Sequence, residues 1–365
     1  MTLSLSMIVK NEEAVLERCL KSVGGVFDEI IITDTGSTDR TKEIASKYTD
    51  KIFDFSWQYD FSAARNYSFS LATCDYVMWL DADDVLTEKD RDALIALKST
   101  MDGSVNAYFL LYDVISGAQD GSRFYFYRER IVRRASGFLW KGAVHEYLDV
   151  DSNSLRVPVA VTHVRGENKE RGRNLMIYIR QFLSGKAPDA REKYYFAKEL
   201  FENGFFKAAV YALEEYLKDN GWIEDKISAC RILSSCHKQL GNGEGQLYAL
   251  YKSFEYAPPR SAVCCDIGDY FLSRNEYHSA VFWFKLALNQ RGEQKDGFVS
   301  PDFGDFIPYM WLCYCYDKLG IREKAVYYNN LAGKIKPLDK NYLYNKKYFE
   351  NSEKLSEKDD GKTLK

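Results

Sequence analysis

The chain contains no apolar run of the ~18 or more residues that a membrane span requires. Its opening stretch, Met1 to Val9, also lacks the basic leader and long apolar core of a signal peptide; serines interrupt it and Lys10 ends it. These two absences point to a cytoplasmic protein that is not integral to a membrane. Excess charge of either sign is missing as well. The chain has 50 Lys and Arg against 53 Asp and Glu, a formal net charge of -3, so bulk electrostatics give no attraction for nucleic acid. The eight cysteines include no Cys-x-x-Cys pair, and neither their spacing nor a nearby histidine forms a zinc pattern. Reduced thiols in a reducing compartment fit that usage. No Gly-rich phosphate loop lies near the N-terminus, which argues against many nucleotidyltransferases.

What the sequence does have is packing material. Of its 365 residues 46% are hydrophobic, with 27 Tyr and 22 Phe, enough for two or three domains with real cores. Up to about residue 165, short strand-like runs alternate with helical patterns. Strands are expected at Leu5 to Val9, Glu29 to Thr33, Lys51 to Phe53, Tyr76 to Leu80, Ala107 to Asp113, Arg123 to Arg130 and Val157 to His163. Helices are expected at Glu13 to Ser22, Thr41 to Tyr48 and Ala63 to Ala72. This alternation predicts an α/β domain with parallel strands and crossover helices. Ligands then bind beyond the carboxyl ends of the strands, which gathers Asp34, Asp81 and Asp83 around one crevice. Arg123 to Arg130 interleaves cations and aromatics as RNA-binding surfaces do, but the near-neutral charge favours a half-exposed strand.

From about Arg191 the pattern is purely helical, and small residues mark a repeat. Ala197, Leu200, Gly204, Phe206 and Ala209 recur in spacing as Gly268, Phe271, Asn275, Tyr277 and Ala280; weaker copies run through Ser234, Lys238 and Gln246 and through Cys313, Tyr316, Ala325 and Ala332. The interval from Gln246 to Ala280 fits the roughly 34-residue period of tetratricopeptide repeats. Stacked helix pairs present a surface for peptides or partner proteins; a structural or homodimerising role is the alternative. Arg291 to Asp305 reads as a loop insertion, and the polar run from Ser352 as disordered. The expected domains are 1–176, an α/β domain; 177–345, an all-α helical-repeat domain; and 346–365, a polar tail.

The apolar run Tyr76-Val77-Met78-Trp79-Leu80 delivers Asp81 and Asp83 to a strand end. Alternation along extended backbone puts both carboxylates on one side. Two hard oxygen ligands suit Mg²⁺ or Mn²⁺, an ion commonly recruited to hold a diphosphate; a solvated acidic turn is the other reading. Four further blocks stand around this one in order: Met7 to Glu13, Asp34 to Thr41, Phe61 to Asn66 and Trp140 to Glu146. Together the five resemble family 2 glycosyltransferases of Rossmann-like GT-A fold, in the bacterial subgroup that fuses this domain to tetratricopeptide repeats. The resemblance covers the chain to about residue 340.

That resemblance implies a metal-dependent, inverting transfer from a nucleotide-sugar donor, UDP-linked. Val9, Asn11, Asp34, Arg65 and Asp81 would bind the donor, with Asp34 accepting the imide proton of uracil. Asp83, His163 and Asp81 would hold the Mn²⁺ or Mg²⁺ ion. A surface ion pair is the other reading of Arg65. The family's Glu-Asp base position falls on His145-Glu146, so Glu146 is the candidate base and His145 its rival. The Gln-x-x-Arg-Trp block of processive synthases is absent, which implies single-sugar transfer. A polypeptide acceptor, such as a bacteriocin precursor, suits the repeats; a cell-envelope glycan or an inactive transferase-like scaffold are the alternatives.

Overall fold

The computed structural model describes residues 1–115, 123–164, 172–290 and 300–360. The chain divides into two compact units, Met1–Tyr195 and Phe196–Lys365. The division falls after Tyr195, beyond the position 176 read from composition. Tyr195 stacks on His145 and Arg191 donates to the His145 carbonyl, so both belong with the first unit.

The first unit is built on strands β1 (Leu3–Val9), β2 (Glu29–Asp34), β3 (Ile52–Asp54), β4 (Tyr76–Trp79), β5 (Asp84–Val85), β6 (Ala107–Ile115), β7 (Arg123–Arg133), β8 (Trp140–Lys141), β9 (Tyr147–Leu148) and β10 (Ser154–Val164). Eight of them form one sheet in the order β3-β2-β1-β4-β7-β6-β10-β5, and β8 pairs with β9 separately. The strands β3, β2, β1 and β4 are parallel, while β7 runs antiparallel to both β4 and β6. The sheet is therefore mixed. Its central strand β1 is buried along nearly its whole length, serines included, as a strand covered on both faces must be. Order reverses at β1, which feeds β2 on one side and β4 on the other, so their carboxyl ends open a crevice at a topological switch point.

Helices α1 (Leu16–Ser22), α2 (Thr41–Ala45), α3 (Phe61–Ser70), α4 (Glu88–Thr100) and α5 (Arg173–Leu183) complete this unit. Sequence-specific caps fix two of them. Asp60 accepts from Ala63 N–H at the start of α3, and Thr87 accepts from Asp90 N–H at the start of α4. The Arg123 to Arg130 run is an inner strand, with Tyr125 and Tyr127 outward and Arg130 fully buried.

Beyond α6 (Ala190–Glu202) the elements among the described residues of the second unit are all helical: α7 (Phe206–Tyr216), α8 (Ile223–Gln239), α9 (Gly243–Lys252), α10 (Ser261–Ser273), α11 (Tyr277–Asn289), α12 (Phe306–Lys318), α13 (Arg322–Ile335) and α14 (Lys340–Asp360). The pairs α8/α9, α10/α11 and α12/α13 pack together. Ala209, Ala280 and Ala325 each occupy the fourth position of α7, α11 and α13 and are fully buried. The repeat read from sequence is thus a repeat of packing positions. The expected loop insertion lies largely in 291–299, outside the described residues, and Pro301–Gly304 forms a short 3-10 turn.

The polar tail departs from expectation. Helix α14 continues to Asp360, because Lys and Glu are good helix formers and polarity limits burial rather than helicity.

One glycine tests the packing directly. A Cβ on Gly268 of α10 would lie 2.6 Å from the Phe284 ring of α11, which is itself fully buried. Gly268→Ala should therefore lower stability by about 1–2 kcal/mol, overpacking outweighing the gain in helix propensity. A thermal melt checks this; an unchanged or raised Tm would show that the helix pair has slack.

Candidate active site

The site begins where the chain leaves β4. Residues Asp81 to Asp84 form a turn: Asp84 N–H donates to the Asp81 carbonyl, and Asp81 N–H donates to the Asp84 carboxylate at 3.0 Å. The backbone turns, so strand alternation does not govern these residues, and Asp81 and Asp83 take different partners.

Asp81 is held by Arg65. The guanidinium lies between the rings of Trp79 and Trp140, at 4.7 and 4.8 Å from their centroids. From there Nη2 donates to Asp81 Oδ1 and Nε to Glu146 Oε1, each at 2.7 Å. One buried arginine thus joins the third, fourth and fifth sequence blocks. Its burial corrects the surface-pair reading, since the Arg65 side chain is only 7% exposed. Burial opposes its charge, but Asp81 and Glu146 outweigh it and hold the cation firmly protonated. Asp81 is only half-buried, its side chain 35% exposed; desolvation pushes its carboxyl up, but the charges of Arg65 and Arg130 outweigh that and hold it well below the usual range.

Asp83 turns to His163, whose Nδ1 lies 3.3 Å from Asp83 Oδ1 and 3.3 Å from Asp84 Oδ1. Asp83, Asp84 and His163 offer ligand atoms within 4.8 Å of one another. This cluster contains Asp84 where the sequence reading placed Asp81. Asp84 is fully buried, paired with Arg130 at 3.0 Å, and accepts from Tyr112 OH. Arg130 in turn lies 3.7 Å from the Trp79 centroid and 4.3 Å from that of Tyr112. Removing either partner of such a buried pair would leave an uncompensated charge. Among the described residues Asp83 has no arginine or lysine partner. Two carboxylates and an imidazole form a donor set that suits Mn²⁺ or Mg²⁺, and the residues present fit such an ion, with Asp84 already held in place by Arg130 and Tyr112.

The imidazole gives this fit a pH signature. Burial opposes protonation of His163, but hydrogen bonds to Asp83 and Asp84 and their charge outweigh it, pushing its pKa up to about 9. Its ordinary value lies near 6.5. The stabilisation of the metal-free protein by this contact is therefore full below pH 6.5 and is lost as pH rises through 9. A metal ligand must be neutral, so Mn²⁺ affinity should move the other way, rising by about tenfold per pH unit up to about 9. Mn²⁺ titration by electron paramagnetic resonance between pH 6 and 9 reads this slope; the same slope in His163→Ala would remove His163 from the ligands.

The loops after β1 and β2 interlock. The Val9 carbonyl accepts from Thr35 N–H and Oγ1, and Asn11 Oδ1 accepts from Thr38 N–H. Asn11 holds a left-handed φ of 55°, which its residue type tolerates. Asp34 is almost fully buried. Its Oδ1 accepts from Gly36 and Ser37 N–H, while among the described residues Oδ2 has no partner. Glu12, in the same loop, is pushed up to about 7 by burial and by the charges of Asp83 and Asp81.

The two base candidates part company. His145 also has a left-handed φ, 53°, and its ring stacks on Tyr195 at 4.1 Å. Glu146 instead faces Arg65. Asp84, Arg130 and Tyr112 went unassigned in the sequence; the consecutive acids Asp83-Asp84 and the basic-aromatic run of β7 were the available signals.

Residues 4–123 match the model of the family described as Glycosyl transferase family 2. A TPR repeat-containing protein of Synechococcus elongatus is 32% identical over 231 residues, 59% of this chain and 56% of that protein. The prophage-derived glycosyltransferase SunS of Bacillus subtilis is 28% identical over 149 residues, 40% of this chain and 34% of that protein. The chain thus spans about half or less of the length of these relatives. Among solved structures, residues 1–349 of S. aureus TarS in complex with UDP-GlcNAc are 13% identical, covering 67% of this chain and 89% of that one, with a TM-score of 0.39. No helix among the described residues is long and apolar enough to cross a membrane. The chain carries a family 2 glycosyltransferase domain in its α/β first half and a tetratricopeptide-like helical domain after it.

Proposed function

We propose that the protein is a metal-dependent, inverting, non-processive glycosyltransferase that moves one sugar from a UDP-linked donor to a polypeptide acceptor. The observation that carries this reading is the Arg65 bridge, which sets the candidate base Glu146 and the Asp81 turn on a single guanidinium. Asp83 and His163, backed by Asp84, would hold a divalent cation, which when bound neutralises charge on the diphosphate. Asp34, with one carboxylate oxygen unpartnered, is assigned to the uracil imide. Val9 and Asn11 shape the loop that presents it.

In the transfer, the acceptor oxygen or sulfur bonds to the anomeric carbon as the sugar–phosphate bond breaks. The bonding pair leaves with the nucleoside diphosphate, and the acceptor proton passes to Glu146. Arg65 occupies Glu146 Oε1, which leaves Oε2 for that proton. Helix pairs of the second unit would supply the acceptor surface, as stacked repeats commonly do.

Incubation of the full chain with a panel of nucleotide sugars and Mn²⁺, followed by mass spectrometry, tests the reading. Donor hydrolysis or transfer should appear with a UDP-sugar. Intact donors across the whole panel would sink it.

A further inference from the structure

The helical unit repeats an exposed ring as well as a buried alanine. Helices α7, α9, α11 and α13 each carry an aromatic residue at their sixth position: Tyr211, Tyr248, Phe282 and Tyr327. These residues are 69, 67, 61 and 58% exposed. At about 100° per residue, the sixth position points away from the buried fourth one, here Ala209, Gln246, Ala280 and Ala325. The outward face of a surface helix is ordinarily polar. Exposed apolar residues scattered singly need no explanation, but one register kept in four helices is not scatter.

Two of the rings are also held in orientation. Phe282 meets the next ring, Trp283, edge to face at 5.4 Å and 89°, and Tyr327 meets Tyr328 at 5.2 Å and 76°. A side chain already held gives up little freedom on binding.

Charge and area narrow what these rings fit. One turn to either side, at i±3 and i±4, the sequence places four lysines, four glutamates and one histidine. Lys207 and Glu215 flank Tyr211, and Glu323 and Lys324 precede Tyr327. Such balance gives no attraction for a polyanion, so the stacked bases of a single-stranded nucleic acid are not the match. Charged residues between the rings also break the continuous apolar groove that an amphipathic helix needs. A second copy needs about 800 Å² per partner, whereas four part-exposed aromatic side chains offer roughly 500 Å², divided among four helices. An uncharged sugar chain meets each of these conditions. One face of a pyranose is made of C–H groups that pack on an aromatic ring by dispersion. Its rim of hydroxyls hydrogen-bonds to the flanking Tyr, Glu and Lys side chains.

We infer that the outward face of α7, α9, α11 and α13 binds an uncharged glycan chain, each exposed ring stacking on a sugar. This goes beyond the transferase reading and does not rest on it.

The test applies the intact, fluorescently labelled chain to an array of uncharged oligosaccharides of hexoses, pentoses and N-acetylhexosamines, with calorimetry on those it binds. Binding to at least one class is expected, and it should persist in about 1 M salt, where the Debye length is about 3 Å. Each of Tyr211→Ala, Tyr248→Ala, Phe282→Ala and Tyr327→Ala should weaken it by about fivefold or more, the scale of one stacked ring. The quadruple variant should abolish it. Tyr344→Ala, which removes an exposed tyrosine of α14, should bind as wild type. No binding anywhere on the array, or full binding by the quadruple variant, would overturn the inference. A dimer in sedimentation that the quadruple variant dissolves would give the surface to a second copy instead, and retention of poly(dT) that it loses would give it to nucleic acid. Alanine favours helix and the rings are exposed, so the variants fold, which circular dichroism confirms. UDP binding by the quadruple variant should equal that of wild type, so failure here leaves the transferase reading standing.

Discussion

Asp83→Ala should lower turnover by about 10²-fold or more, the scale seen when an electrostatic stabiliser of the transition state is lost. The expectation follows from charge accounting around the turn after β4. Asp81 is compensated by Arg65 and Asp84 by Arg130, so among the described residues Asp83 is the carboxylate of the three whose charge is met only by a titratable imidazole. Deprotonate His163 and Asp83 offers an uncompensated oxygen for a hard cation. Removing it leaves Asp84, which is tied to Arg130 and Tyr112 and cannot turn outward without breaking a buried pair, at a cost of about 3–5 kcal/mol. The variant should also lose the Mn²⁺ dependence of donor binding, whereas Asp83→Asn should keep the fold with the same loss. Steady-state kinetics with and without EDTA decide the matter. Full activity of wild type in EDTA, matched by Asp83→Ala, would show that no metal works there.

The parts of this site legible in the sequence were those set by local chain direction. Short apolar runs ending in Asp34 and Asp81 marked strand ends at one edge of a sheet, and the sheet order places them there. What the sequence hid was the turn that begins at Asp81. Alternation holds only while the backbone stays extended, and a hydrogen bond from Asp84 back to Asp81 ends it. The role of Asp84 was hidden for a second reason: its partners, Tyr112 and Arg130, come from β6 and β7, and His163 from β10. Long-range pairing of this kind has no periodicity to betray it. The Arg65 bridge likewise needs Trp140 and Glu146 from the segment between β7 and β10. In the helical half the opposite holds, because each repeat meets its neighbour in sequence, and the spacing of Ala209, Ala280 and Ala325 was enough to find the packing positions.

Glu146→Gln should preserve UDP affinity and reduce transfer by about 10²–10⁴-fold, the contribution expected of a general base. The amide keeps the shape and can still accept from Arg65 through its oxygen, but it cannot take a proton. Arg65→Lys makes the complementary change. A lysine retains one positive charge yet cannot reach Asp81 and Glu146 together from the slot between Trp79 and Trp140, where the planar fork fits. It should lower turnover through a misplaced base while the Asp83 and His163 cluster still binds Mn²⁺. A merely structural role for Arg65 would instead lower Tm and Mn²⁺ affinity together with turnover, so the two are separable in one set of measurements. His145→Ala completes the comparison. Its ring is stacked on Tyr195 and its backbone holds a left-handed φ of 53°, so loss of the ring should cost stability and leave turnover within a few-fold of wild type. An inactive, well-folded His145→Ala beside an active Glu146→Gln would move the base to the histidine.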